Sequence, residues 1–158
     1  AACTTPPSAP SPSATLMTTS SPATTSAAGP STASDERLAI EAVQRYYAAF
    51  NEALVTLKTT EMRKLFQPGC LVCERDVAEI DRMAREGDRI TGGATTLSDF
   101  VATIRSGDLQ GLRATARSAS MTIQNRAGKV ITNEAAVTGT KNFTVLRRGD
   151  SWILEGIT

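Results

Sequence analysis

Apolar residues return at helical spacing through "SDERLAIEAVQRYYAAFNEALVTLKTTEMRKLF", where Ile40, Val43, Tyr47, Phe50, Leu54 and Leu57 fall on one face. The spacing predicts a long amphipathic helix. Ser34 or Asp35 is placed to cap its first turn, and the acidic pair Asp35 and Glu36 suits its positive end. Thr59 or Thr60 then caps a shorter helix holding Met62, Leu65 and Phe66, which "QPG" at 67–69 ends. A third helix is expected from about Leu71 to Glu86, with Cys73, Val77, Ile80 and Ala84 on its apolar face and Gly87 as its stop. The charged faces of these helices read as solvent faces.

Beyond "ITGG" the period shortens. Gly-punctuated segments rich in Thr, Val and Ile replace the helical pattern, and "LRATARSASMTIQ", "NFTVLRR" and "SWILEGI" read as strands. Gly149-Asp150 between the last two is a two-residue hairpin turn, and "RAGK" at 126–129 marks another. In "TTLSDFVATIRSG" the set Leu97, Phe100, Val101 and Ile104 fits a helix, while Phe100, Ala102 and Ile104 fit an alternating strand; the reading for 96–106 leans to strand. Helices first and a curved antiparallel sheet afterward make an α+β arrangement.

Composition changes the picture at the N-terminus. Residues 4–34 are Ser, Thr, Ala, Pro and Gly apart from Leu16 and Met17, and six of the seven prolines lie there. All 17 basic and all 16 acidic residues come from Asp35 onward. Such a stretch cannot bury enough apolar surface to offset its ordering entropy, so residues 1–34 are expected to form a disordered stalk and 35–158 a single domain. A net charge of +1 supplies no global field for nucleic acid, and no nucleic-acid partner is expected. No run of 18 apolar residues occurs, so the expectation is that any export signal has been removed or lies upstream.

The stalk begins "AAC", and Ala1-Ala2-Cys3 resembles the end of a bacterial lipobox, although the apolar residue that precedes the tripeptide in that motif is missing. The resemblance implies acylation of Cys3, a membrane anchor and an extracytoplasmic location, and two or more acyl chains give stable anchoring. Further on, "VQRYYAAFNEALVTLKTTEMRKLFQPGC" resembles the opening of the nuclear-transport-factor-two-like, or SnoaL-like, cone fold. The closing hairpin "FTVLRRGDSWILEGI", with its Trp, is similar to that superfamily's last hairpin. Taken together, the stalk, the "PGC..C" pair, "GDRITGG" and the hairpin resemble an uncharacterised family of actinobacterial lipoproteins. That resemblance implies a cone-shaped, cystatin-like roll and adds location rather than chemistry.

Catalytic members of the superfamily place an Asp or a His-Asp pair in the cavity, often with a Tyr. This chain has no histidine, which removes every histidine mechanism. Asp99, set among Leu97, Phe100 and Val101, is the remaining weak candidate, with Tyr46 as a donor, and a capping or strand-edge role for Asp99 is favoured over it. Tyr47, Phe50, Phe100, Phe143 and Trp152 either line a cavity for an apolar or amphipathic ligand or simply form the core, the second being favoured. Cys70 and Cys73 are too few for a structural zinc site without histidine, so no metal or cofactor is expected. Their context lacks the strand-to-helix junction of a thioredoxin-like redox pair, and two cysteines left after Cys3 favour a Cys70–Cys73 disulfide. The expected function is a lipid-anchored, non-catalytic binding or assembly module for an unknown protein or small apolar ligand, with pairing of two copies through the sheet left open. A thiol-disulfide oxidoreductase using Cys70 and Cys73, or a small cavity enzyme, is the alternative.

Overall fold

The computed structural model describes residues 30–158. Cys3, the expected lipidation site, and all but the last few residues of the expected stalk lie outside the described residues. Two helices, α1 (Pro30–Thr56) and α2 (Leu71–Glu86), precede seven strands: β1 (Arg89–Gly92), β2 (Thr95–Ser106), β3 (Leu109–Ser118), β4 (Met121–Gln124), β5 (Val130–Glu134), β6 (Val137–Arg148) and β7 (Ser151–Ile157). The expected α+β arrangement is what forms. Every strand pairing is antiparallel, in one sheet of order β2-β3-β6-β7 and a smaller one of order β1-β4-β5.

The two sheets are one sheet sharply folded. The chain passes from one to the other through three short bends, at Gly93-Ala94, Ala119-Ser120 and Ala135-Ala136. The first two are stitched together, since Gly93 N–H donates to the Ser120 carbonyl at 3.0 Å and Ala119 N–H to the Ala94 carbonyl at 2.9 Å. Gly92 has φ +81°, and a Cβ there would lie 2.0 Å from the Ser120 carbonyl oxygen, so only glycine lets the strands approach this closely.

Helix α1 starts at Pro30, ahead of the expected caps, and both Ser34 and Asp35 sit inside it. Asp35 is buried and accepts a hydrogen bond from Arg105 Nη2 at 2.6 Å, with Arg147 Nη1 at 3.5 Å. It joins the helix to the sheet rather than capping a turn. The buried face of α1 is Ala39, Ala42, Val43, Tyr46, Tyr47, Ala53 and Leu54, while the expected Ile40, Phe50 and Leu57 are only partly covered. The helix is rotated toward its alanines, whose small side chains let it lie close to its neighbours.

The shorter helix is a single 3-10 turn, Met62–Lys64, after which Phe66 forms an isolated parallel bridge with Leu154 of β7. Gln67 N–H donates to the Leu154 carbonyl at 2.7 Å and Leu154 N–H to the Leu65 carbonyl at 3.1 Å. Helix α2 has the expected bounds and buries Cys73, Val77, Ile80 and Met83; Ala84, expected on that face, is exposed. Its end is a Schellman motif, with Gly87 N–H bonded to Ala84 O and Asp88 N–H to Met83 O. Segment 96–106 is strand, as leaned, but broken by two bulges, between Ser98 and Val101 and between Ala102 and Arg105. Those bulges are why its apolar residues fit a helical period as well as an alternating one. The core fills the space between helices and the large sheet, with Leu112, Phe143, Val145, Trp152 and Leu154 facing Val43, Tyr46, Val77 and Ile80.

Candidate functional site

Where the sheet folds over, the helices do not quite close it, and a cavity of about 330 Å³ remains. Its apolar wall is Phe50 and Leu54 from α1, Ile80 and Met83 from α2, and Met121 and Ile123 from β4. On α1 and α2 these residues stand three or four apart, on the edge of the buried face. The bends supply Gly93, Ala119 and Ala135, the strand ends supply Thr95, Ser118 and Val137, and the middle of β5 supplies Thr132. One side-chain amide holds the back of the cavity in place. Asn51 Nδ2 donates to the Thr95 carbonyl at 2.9 Å and Thr95 N–H donates to Asn51 Oδ1 at 2.8 Å, while the Thr95 and Ser118 hydroxyls meet at 2.8 Å. The backbone at the bend is thereby satisfied without a strand partner.

Three carboxylates border the cavity: Asp76, Glu79 and Glu134. Burial pushes the Asp76 carboxyl above its ordinary value of 3.8, and Arg75, Lys141 and a hydrogen bond from Tyr46 oppose that shift only in part. The Tyr46 hydroxyl donates to Asp76 Oδ2 at 3.4 Å from a fully buried ring. Burial first, then the Asp76 charge, raises the Tyr46 phenol above its ordinary value of 10.0, so it stays a donor at neutral pH. Glu79 is different: a hydrogen bond from Arg82 lowers its carboxyl below 4.5, and it stands in solvent.

The residues singled out from the sequence are distributed unevenly around this site. Asp99 does not reach it. It occupies the first bulge of β2 with φ +54°, exposed, and accepts a hydrogen bond from the Ser98 hydroxyl at 2.8 Å. The desolvated carboxylate next to Tyr46 is Asp76 instead, which the charged-face reading of α2 passed over. A signal was there, since Asp76 lies three residues after Cys73 and four before Ile80, on the shoulder of the buried face. Of the five aromatics, Phe50 lines the cavity. Tyr47, Phe143 and Trp152 are core, and Phe100 is half-buried against it. Tyr47 packs edge-to-face on Tyr46, Phe50 and Phe143 with ring centroids 5.5, 6.0 and 6.0 Å apart.

Cys70 and Cys73 sit at the start of α2 with their Sγ atoms at disulfide distance and Cα atoms 5.3 Å apart. Both are buried to about 1% or less exposure, so neither sulfur is open to attack by an external thiolate, which dithiol exchange requires. Glu74 closes the turn by accepting from Gly69 N–H at 2.8 Å. Among the described residues no three Cys, Asp or Glu side chains converge as a metal site.

No family model matches this chain, and no curated protein matches it in sequence. Solved structures do. A candidate aromatic ring hydroxylase from Novosphingobium aromaticivorans superposes with a TM-score of 0.52 at 16% identity, over 80% of this chain and 87% of that one. The chain has the cone fold. The intermembrane space region of the chloroplast protein ARC6 gives a TM-score of 0.55 at 14% identity, covering 78% and 94% of the two chains. An uncharacterized cystatin-like protein from Caulobacter vibrioides gives 0.47 at 11% identity, over 76% and 88%. At such identities the likeness is one of architecture alone: helices in the mouth of a bent antiparallel sheet.

Proposed function

We propose that this protein is a lipid-anchored, extracytoplasmic binding module of the actinobacterial lipoprotein type, whose cone takes a small ligand with a substantial apolar part. The observation that carries the reading is the cavity itself. Its volume of about 330 Å³ is at the lower end of the roughly 300–1,000 Å³ usual for small-molecule sites. Leu54, Ile80, Met83, Met121 and Ile123 give it an apolar wall, and a few hydroxyls and carboxylates at its edge can fix orientation. The anchoring half of the proposal rests on Ala1-Ala2-Cys3 and the uncharged Ser/Thr/Pro-rich residues after it.

The binding half is tested with the neutral fluorophore N-phenyl-1-naphthylamine, titrated into the wild type and into Ala135→Trp. Ala135 is an exposed lining residue, so an indole there fills the mouth without entering the core. Saturable enhancement in the wild type and at least tenfold weaker binding in the variant are expected; equal binding in both removes the cavity from consideration. For anchoring, Cys3→Ala expressed behind the native export signal is expected in the soluble extracytoplasmic fraction. Retention of the exported variant in membranes sinks that half.

A further inference from the structure

The cavity carries charge of one sign. Asp76, Glu79 and Glu134 border it, and no lysine or arginine is among its lining residues. Nearby cations are engaged or held back. Arg82 bonds Glu79 and Glu86, and Arg75, largely exposed, reaches Asp76 only at 3.9 Å. Lys141 faces Asp76 from β6 and lowers its carboxyl, but forms no ion pair with it among the described residues. Asp76 therefore has one long hydrogen bond, from Tyr46 at 3.4 Å, for a group able to accept about four. Glu134 has no ion pair among the described residues and looks into the same opening.

Consider what each class of ligand would meet. A neutral apolar molecule would desolvate Asp76 further and return nothing for it. An anion would face Asp76 and Glu134, Glu79 being balanced by Arg82. A cation with an apolar body would give Glu134 an opposite charge and Asp76 a closer one than Arg75 at 3.9 Å, and lay its tail along Leu54, Ile80, Met83 and Met121, two of which are polarizable thioethers. We infer that the ligand of this cavity is an amphipathic cation, an amine or quaternary ammonium on an apolar chain or ring. The inference rests on the cavity being a binding site, and its test separates the two.

Full-length protein is titrated calorimetrically with three probes sharing one tail: octyltrimethylammonium, 1-octanol and octanoate. The ammonium is expected to bind at least tenfold more tightly than the alcohol, and octanoate more weakly than both. The preference should shrink as salt is raised from low to physiological ionic strength. The double variant Asp76→Asn/Glu134→Gln is expected to lose the preference, while Glu61→Gln, a carboxylate paired with Lys64 on the surface, keeps it. Melting curves verify that each variant is folded. If the alcohol matches the ammonium, or octanoate binds most tightly, the cationic ligand is refuted and the cavity reading survives. If none of the three probes binds and N-phenyl-1-naphthylamine also fails, the cavity reading itself falls.

Discussion

Replacing Gly92 by alanine tests whether the fold in the sheet is held by a backbone contact that no side chain can share. The new Cβ would lie 2.0 Å from the Ser120 carbonyl oxygen, more than 1 Å inside ordinary contact, and the obstacle is backbone rather than a side chain that can swing away. Three effects combine. A non-glycine residue at φ +81° costs about 1–2 kcal/mol. Moving Ser120 aside endangers the Gly93 N–H bond to its carbonyl, about 1 kcal/mol. Strain spread into the adjacent strands adds about 1–3 kcal/mol, as other forced close contacts do. A total near 3–6 kcal/mol is a large part of the roughly 5–15 kcal/mol that holds a domain folded. Gly149→Ala is the internal control, because Gly149 also has positive φ, +60°, but nothing stands within 4 Å of its Cβ position. Urea unfolding followed by circular dichroism should show the Gly92→Ala midpoint falling by at least ~1 M, with Gly149→Ala shifted by about half of that or less. Equal midpoints for the two variants would mean that dihedral strain accounts for everything and the close approach for nothing.

Three further outcomes are expected. Because burial raises the Asp76 carboxyl above 3.8, its ionised form costs stability at neutral pH and the cost fades as pH falls through the raised value; Asp76→Asn should therefore melt higher than wild type at pH 7 and converge with it near pH 4. A variant that melts lower by the same margin at every pH contradicts that account. Arg82→Met should lower the melting temperature, because Asp88 is buried, its Oδ2 has no hydrogen-bond partner among the described residues, and Arg82 at 3.9 Å is the cation nearest it; adding Asp88→Asn should recover part of the loss, and no recovery would separate the two residues. Cys70→Ala/Cys73→Ala should cost only about 2 kcal/mol, since a bond across a sequence separation of 3 constrains the unfolded chain little. Alkylation of both thiols in unreduced, denatured wild type would show that no such bond exists.

Much of the architecture was legible because it rests on local signals. Gly87 ends α2 through its αL geometry, "QPG" stops the preceding turn, and Gly149-Asp150 turns the last hairpin, each a property of one or two residues. What escaped depends on neighbours distant in sequence. The apolar pattern sets the face of α1 off by part of a turn because its alanines are buried only by what packs on them, and Asp35 reads as a cap because Arg105 lies 70 residues away. Strand β1 was hidden in "RITGG", where two glycines signal a break and in fact make the bend. Asp76 was lost among the charges of α2, since nothing in "CERDVAEIDRM" says that a second sheet folds over its shoulder. Asp99 failed for the opposite reason: apolar neighbours in sequence suggested burial, and a bulge turned the carboxylate outward.

The clasp at Asp35 also gives the molecule two poles. Arg105 and Arg147 lie toward the ends of β2 and β6, next to the hairpins that lead into β3 and β7, whereas the cavity is bounded by the other ends of the same strands, at Thr95 and Val137. Helix α1 runs between these poles, with fifteen residues from Asp35 to Phe50 spanning about 22 Å. The polypeptide before residue 30 therefore joins the domain at the clasped pole, and the opening is at the far one. Pull applied through the N-terminal end of α1 would be taken up by the helix axis and by three charged side chains, Asp35, Arg105 and Arg147, on the side of the domain opposite the opening, so load and ligand would meet the fold at different ends.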